Sequence, residues 1–237
     1  MLSTIYHTVL LRSIILITPA LLLASCLTPP EFPLEPEIEY NNVSFIQGAP
    51  PYDVDSLRIE INFRDGDGDL GLDKDLDEHS DIPYNSFWGF YKTDGTFLKL
   101  SDRVTSPYDT LPPYEFPYYC TNYTIFENDT FYIQKNKDHY NIFVKYWHKV
   151  NGVFKEYDWV TGDNFCGDTM DGRFPMLSKS SSASPLQGTL SYNMVSSGFE
   201  FIFRLDTLKL EVTIQDRALN KSNTIETPEF TLQSILK

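Results

Sequence analysis

Asn141–Val160 reads NIFVKYWHKVNGVFKEYDWV, and its centre decides the fold. Asn151-Gly152 is the preferred pair for a two-residue type I′ turn, whose twist matches that of the strands it joins. Such a turn fixes the register: Val150 faces Val153, Tyr146 faces Tyr157 and Val144 faces Trp159. These pairs share one apolar face. The other face sets Lys145 opposite Asp158 and Lys149 near Glu156, so apolar pairing and charge pairing agree on one register. His148 and Lys155 interrupt the apolar face near the tip, where water reaches them. The stretch predicts a long antiparallel hairpin, Asn141 to Val150 and Val153 to Val160.

The same period runs outward in both directions. Leu57, Ile59, Ile61 and Phe63 alternate with Arg58, Glu60, Asn62 and Arg64, the mark of a half-buried strand. Ile38, Tyr40 and Phe45 lie in an earlier extended stretch. Ser86 to Tyr91 is an aromatic strand, and Phe97 to Leu100 follows an Asp94-Gly95 turn. Beyond the hairpin come Leu190 to Met194, then Phe199, Phe201, Phe203 and Leu205 at period two. Leu208, Leu210, Val212 and Ile214 follow, and a last strand runs from Ile225 to Leu232 with Pro228 at an edge or bulge. Residues 101–125, rich in Pro and Tyr, read as a long packed loop, and Ser178–Ser184 as a linker. No helical pattern is long enough for an α/β fold. Regular strands with 15 prolines and 15% aromatic residues predict an all-β chain. The expected architecture is an Ig-like β-sandwich with a long hairpin and irregular loop insertions, one domain over residues 37–237.

The N-terminus has a different grammar. Arg12 is the only charged residue before Cys26. A near-continuous apolar run from Ile14 to Ala24 follows, and small Ala24 and Ser25 precede the cysteine. This is the order of an export signal, and the run is shorter than the roughly 20 residues that span a bilayer. Leu23-Ala24-Ser25-Cys26 resembles the bacterial lipobox. Residues 1–25 are therefore expected to be a lipoprotein signal peptide and Cys26 to carry covalent lipid, anchoring the chain to a membrane. Leu27, rather than Asp, follows the cysteine and is compatible with sorting to the outer membrane. Pro29, Pro30, Pro33 and Pro36 make residues 26–36 a semi-rigid tether.

Thirty-three acidic residues against 19 basic ones give a net charge of −14. No basic footprint exists for nucleic acid, and anionic lipid would repel the surface. With Cys26 assigned to lipid, Cys120 and Cys166 remain in an oxidising compartment, where a disulfide is favoured over two free thiols. No nucleophile elbow, zinc-protease helix or phosphate loop is present. His79, His139 and His148 have no metal-pair spacing. A non-catalytic role is expected.

One constellation could bind an ion. Asp65, Asp67 and Asp69 alternate with Gly66 and Gly68, a pattern that turns several carboxylate oxygens inward as calcium requires. It is not an EF-hand, because Leu70 and Leu76 stand where that loop needs Gly and Glu. In an Ig-like sandwich this loop meets the one before the last strand, so Asp73 and Asp216 (or Asn220) would complete a Ca2+ site. The alternative is a solvated acidic turn. Separately, Trp88, Tyr91, Tyr108, Tyr114, Tyr118, Tyr119 and Tyr123 gather around one strand and loop. They are either core packing or an exposed platform for a glycan or an envelope protein partner.

Val212 to Asn223 reads VTIQDRALNKSN. It is similar to the closing strands of bacterial Ig-like domains, where an alternating strand ends in an Asp-x-Ala-Gly-Asn-x-Ser turn, with Leu219 in place of the usual Gly. Arg64 to Leu72, RDGDGDLGL after a strand, looks like the second hallmark. With the lipobox and the Asp171-Gly172-Arg173-Phe174-Pro175 segment, the chain resembles an uncharacterised family of Bacteroidota lipoproteins over most of residues 26–237. The resemblance implies a fold and a place in the cell envelope, and it carries over no established activity. The expected role is a structural or protein-interaction subunit, the alternative a glycan-binding accessory lipoprotein.

Overall fold

The alternating segment around Ile59 is β2 (Asp55–Asp65) in the computed structural model, which describes residues 31–48, 54–74, 81–162, 164–178, 182–196 and 198–237. The chain divides into two compact units, Met1–Phe32 and Pro33–Lys237, and the fold described is that of the second. Every odd-numbered residue of β2 is buried. β1 (Glu37–Ile46) pairs antiparallel along one side and β8 (Leu186–Ser196) along the other. In β1 the inward set changes parity, from Ile38 to Val43 and Phe45. A bulge between Tyr40 and Asn42 absorbs the extra residue and keeps both halves on the core side.

The hairpin builds the second sheet. β6 (Ile142–Val150) and β7 (Val153–Glu156) pair Val150 with Val153 and Trp147 with Glu156, around Asn151 and Gly152 at φ 53° and 82°. β9 (Leu208–Ile214) lies on the other side of β6, and β10 (Ile225–Glu226) lies outside β9, giving the order β10-β9-β6-β7. Leu57, Ile59, Ile61 and Phe63 from the first sheet and Val144, Tyr146, Leu210 and Val212 from the second share one core. The protein is thus mostly antiparallel β-structure with little helix.

Several expectations are corrected. The second arm of the hairpin is short. The predicted register holds through Tyr157, whose N–H donates to the Tyr146 carbonyl at 2.7 Å. Then Asp158 accepts the N–H groups of Val160 and Thr161 and turns the chain away. Asp171 and Gly172 take its place along β6, accepting from the Val144 and Ile142 N–H groups. Lys145 consequently pairs with Glu156 and Glu211, not Asp158, and Lys149 with Glu229. Phe199–Phe203 is a short helix, not a strand. Four residues make one helical turn, so Phe199 and Phe203 both reach the core beside Tyr146, while Phe201 and Leu205 are over 90% exposed. The last strand stops at Glu226 and resumes only as a bridge from Phe230 to Leu208, because Pro228 has no N–H to donate.

The insertion between β2 and β6 is also more regular than expected. β3 (Phe87–Gly89), β4 (Tyr123–Phe126) and β5 (Asp129–Lys135) form a third sheet in the order β3-β5-β4. The predicted loop supplies two 3-10 turns, one helical turn (Tyr118–Thr121) and the start of β4. Asn136 closes the neck, donating to the carbonyls of Pro83 and Asn85. Cys120 and Cys166 form a disulfide, Cα atoms 5.1 Å apart. It ties the insertion to the segment after β7 across a sequence separation of 46, a closure worth about 4 kcal/mol in the chain-entropy view.

The helical reading of Phe199–Phe203 has a direct check. Phe203→Ala should cost about 3–5 kcal/mol in urea unfolding, and Phe201→Ala under about 0.5 kcal/mol. A strand would make the two phenylalanines equivalent.

Candidate functional site

β2 carries a carboxylate at each end of its buried stripe, and the two ends are treated differently. Asp55 accepts N–H bonds from Gly48 and Glu200. Asp65, at the other end, has no exposed surface, and neither of its carboxylate oxygens has a hydrogen-bond partner. Beyond it the chain makes the Asp-Gly turn that brings Asp67 and Asp69 back beside Asp65. The loop before β10 arrives at the same pole, where Leu70 bridges Asp216.

Carboxylate oxygens of Asp65, Asp69 and Asp216 all lie within 4.8 Å of one another. One oxygen each of Asp67 and Asp69 is also buried without a partner. Burial, then the charges of Asp67, Asp69 and Asp216, pushes the Asp65 carboxyl up to about 7. The Asp69 N–H pulls the other way, but no hydrogen bond to Asp65 closes. Asp69 is raised by burial and by Asp216 and Asp67, and lowered by the neighbouring Arg217. Asp216 is raised by burial, against the Asn220 side-chain and backbone N–H groups that donate to it at 2.9 and 2.7 Å.

The predicted residues within the described chain each have a definite place. Asp65, Asp69 and Asp216 converge, and Asp67 acts on all three. Asp73 is exposed and is not one of the three converging acids. Asn220 positions Asp216 by donating to it. Leu219 adopts φ 69°, so the turn keeps the left-handed geometry that glycine would favour. Cys26 and His79 lie outside the described residues. His139 contacts the Tyr84 carbonyl through Nδ1, and His148 pairs with Asp206. Sequence reading missed the locks around the pole. Tyr84 donates its hydroxyl to the Arg217 carbonyl at 2.5 Å, and Arg217 Nη1 donates to the Gly71 carbonyl at 3.2 Å. No local pattern marks residues so far apart in sequence.

The expected linker contributes here as well. Ser184 N–H donates to the Asp67 carbonyl, and the Met176 and Leu177 N–H groups donate to Leu72 and Leu70. This packing requires glycine at 71. With φ at +91°, a Cβ there would stand 2.2 Å from the Pro175 oxygen and 2.6 Å from the Met176 Cα.

The aromatic residues divide between core and surface. Tyr123 and Tyr132 form a second small core with Leu98, flanked by Tyr108 and Tyr119. Their side of the β3-β5-β4 sheet is covered. On the other side Phe87, Phe97, Phe126 and Phe131 border an open groove of about 700 Å³ with Lys99 paired to Asp129 inside it. Phe126 is 64% exposed. The rings are not coplanar: Phe97 lies 32° from Tyr91 and 73° from Phe131.

Among the described residues no helix is long and apolar enough to cross a membrane. No family model, curated protein or solved structure matches the chain.

Gly71 gives a sharp test of how closely the acidic loop is packed. Gly71→Ala should cost at least about 2 kcal/mol by chemical denaturation. Gly95→Ala, also at positive φ but with open space around it, should cost about 1 kcal/mol.

Proposed function

We propose that the protein is a non-catalytic, lipid-anchored subunit of the bacterial cell envelope that presents an Ig-like β-sandwich to a protein partner. The uncovered aromatic face of the β3-β5-β4 sheet carries this reading. A sheet normally buries one face, and this one buries its Tyr123–Tyr132 side while leaving phenylalanines open on the other. A contiguous exposed apolar patch is the mark of an interaction surface. Carbohydrate recognition favours flat rings on which sugar faces stack. Rings tilted at 32° and 73° around an ion pair suit an irregular protein surface better.

The Ig-like reading rests on strand order. Constant-type Ig sheets group the first, second, fourth and fifth strands against the third, sixth and seventh, and variable-type domains add strands after the third at the edge of the second sheet. With the inserted sheet set aside, β1, β2 and β8 stand for the first group and β6, β9 and β10 for the second, with β7 added at the edge of the second. The insertion then occupies the connection between the second and third strands. The sequence resemblance to Bacteroidota lipoproteins supports the same reading. The non-catalytic assignment is supported by the histidines, since His139 and His148 are engaged in packing and pairing.

Anchoring rests on Cys26, and Leu27 after it, in place of Asp, is compatible with sorting to the outer membrane. Cys26→Ser should release the chain from the membrane fraction or leave it unprocessed. A mature, still membrane-bound mutant would refute the lipid anchor.

For the docking face, the Phe97→Ser and Phe126→Ser double variant should keep its melting temperature. After crosslinking in native membranes it should lose, at least tenfold, an envelope protein that the wild type recovers in stoichiometric amount. Equal recovery by both proteins overturns the docking face. Oligosaccharide binding on a glycan array, lost in the variant, would establish the glycan alternative instead.

A further inference from the structure

We propose that the acidic pole is a calcium site, with Asp65, Asp69 and Asp216 as ligands and Asp67 completing the set. Asp65 points to an ion independently of the acidic cluster as such. It is fully buried, both of its oxygens lack a partner, and one of them converges with oxygens of Asp69 and Asp216. A buried carboxylate without a partner is strongly unfavourable, and like charges beside it make it more so. Asp55 on the same strand shows the ordinary solution, two backbone N–H donors. At Asp65 the fold supplies carboxylates where donors would be expected.

Two species could relieve this arrangement. A proton neutralises one carboxylate and leaves its neighbours charged. A divalent cation serves all of them at once. Arg217, the basic neighbour, acts on Asp69 and is already committed to the Gly71 carbonyl. The donor set consists of hard oxygens from acids, with no sulfur or imidazole in the converging group, which excludes a zinc-type preference. Oxygens bound to one calcium ion at roughly 2.3–2.6 Å can stand up to about 5 Å apart, so a spread within 4.8 Å suits it. Magnesium binds at about 2.0–2.1 Å, keeps several waters and is usually held by one or two carboxylates. A site where three acids converge, with Asp67 beside them, fits it poorly.

The ion would do more than cancel charge. Gly66 N–H donates to the Pro33 carbonyl at 2.8 Å, so the chain enters the domain hydrogen-bonded between Asp65 and Asp67. Asp216 sits beside Arg217, whose carbonyl takes the Tyr84 hydroxyl from the neck of the inserted sheet. Calcium at this point would hold the entry of the chain, the two sheets and the neck of the insertion in one arrangement.

The test uses the purified full chain in detergent, melted in chelator, in millimolar magnesium and in millimolar calcium. Calcium should raise the melting temperature by at least about 5 °C over chelator, and magnesium by much less. Asp65→Asn should melt at or above the wild type in chelator and gain nothing from calcium. Terbium provides a second reading that needs no variant. It should luminesce when the protein's aromatic rings are excited, and calcium should displace it where equal magnesium does not. Equal wild-type melting in all three conditions, or terbium emission indifferent to calcium, overturns the site. Equal displacement by magnesium overturns its selectivity for calcium.

Discussion

The buried stripe of β2 ends in a carboxylate, and much of the structure follows from how that end is accommodated. Period two sends Leu57, Ile59, Ile61 and Phe63 into the core, and the next inward position is Asp65. Moving it outward would require a register slip that exposed the whole stripe. The strand therefore delivers a charge to the mouth of an apolar core. The chain on either side is shaped around that point: a Gly-rich turn bends back at once, Met176, Leu177 and Ser184 donate backbone hydrogen bonds to it, and the turn before β10 closes over it. The opposite end of the stripe, at Asp55, is an ordinary capped carboxylate.

The inserted sheet depends on the same frame for its attachment. Its neck is polar and buried, with Asn85 and Asn136 donating to carbonyls that no strand satisfies. Such groups must be paired to be buried at all, so the neck has little freedom to bend. The Cys120–Cys166 disulfide adds a second tie toward the end of the hairpin. A third runs from Tyr84 to Arg217 beside the acidic pole. The aromatic face is thus presented on a body held at three points.

Much of this was legible in the sequence, because strand alternation and turn chemistry are local. Asn151-Gly152 gave the hairpin register correctly as far as Tyr157, and β2 and β9 follow their alternation. What failed has physical reasons. Phe199, Phe201 and Phe203 fit a strand, but the i, i+4 pair alone is buried, and only tertiary packing against Tyr146 decides between the two periods. Asp158 read as a cross-strand partner for Lys145, yet its short side chain captures two N–H groups of its own turn. The β4–β5 hairpin turns at Glu127 and Asn128, both at positive φ, without the glycine that usually announces such a turn. In the acidic site, alternation brought out Asp65, Asp67 and Asp69, and strand order brought Asp216 to them. Asp73 is not among the converging acids, since one residue beyond Leu72 the chain is already exposed.

The central claim is that the unpartnered carboxylate of Asp65 is complete only with a cation. Anomalous diffraction from crystals grown with calcium measures this most directly. The account predicts one peak among Asp65, Asp69 and Asp216, roughly 2.3–2.6 Å from an oxygen of each. A map without that peak, with the Asp65 oxygens hydrogen-bonded to water or to a neighbouring protonated carboxyl, would contradict it.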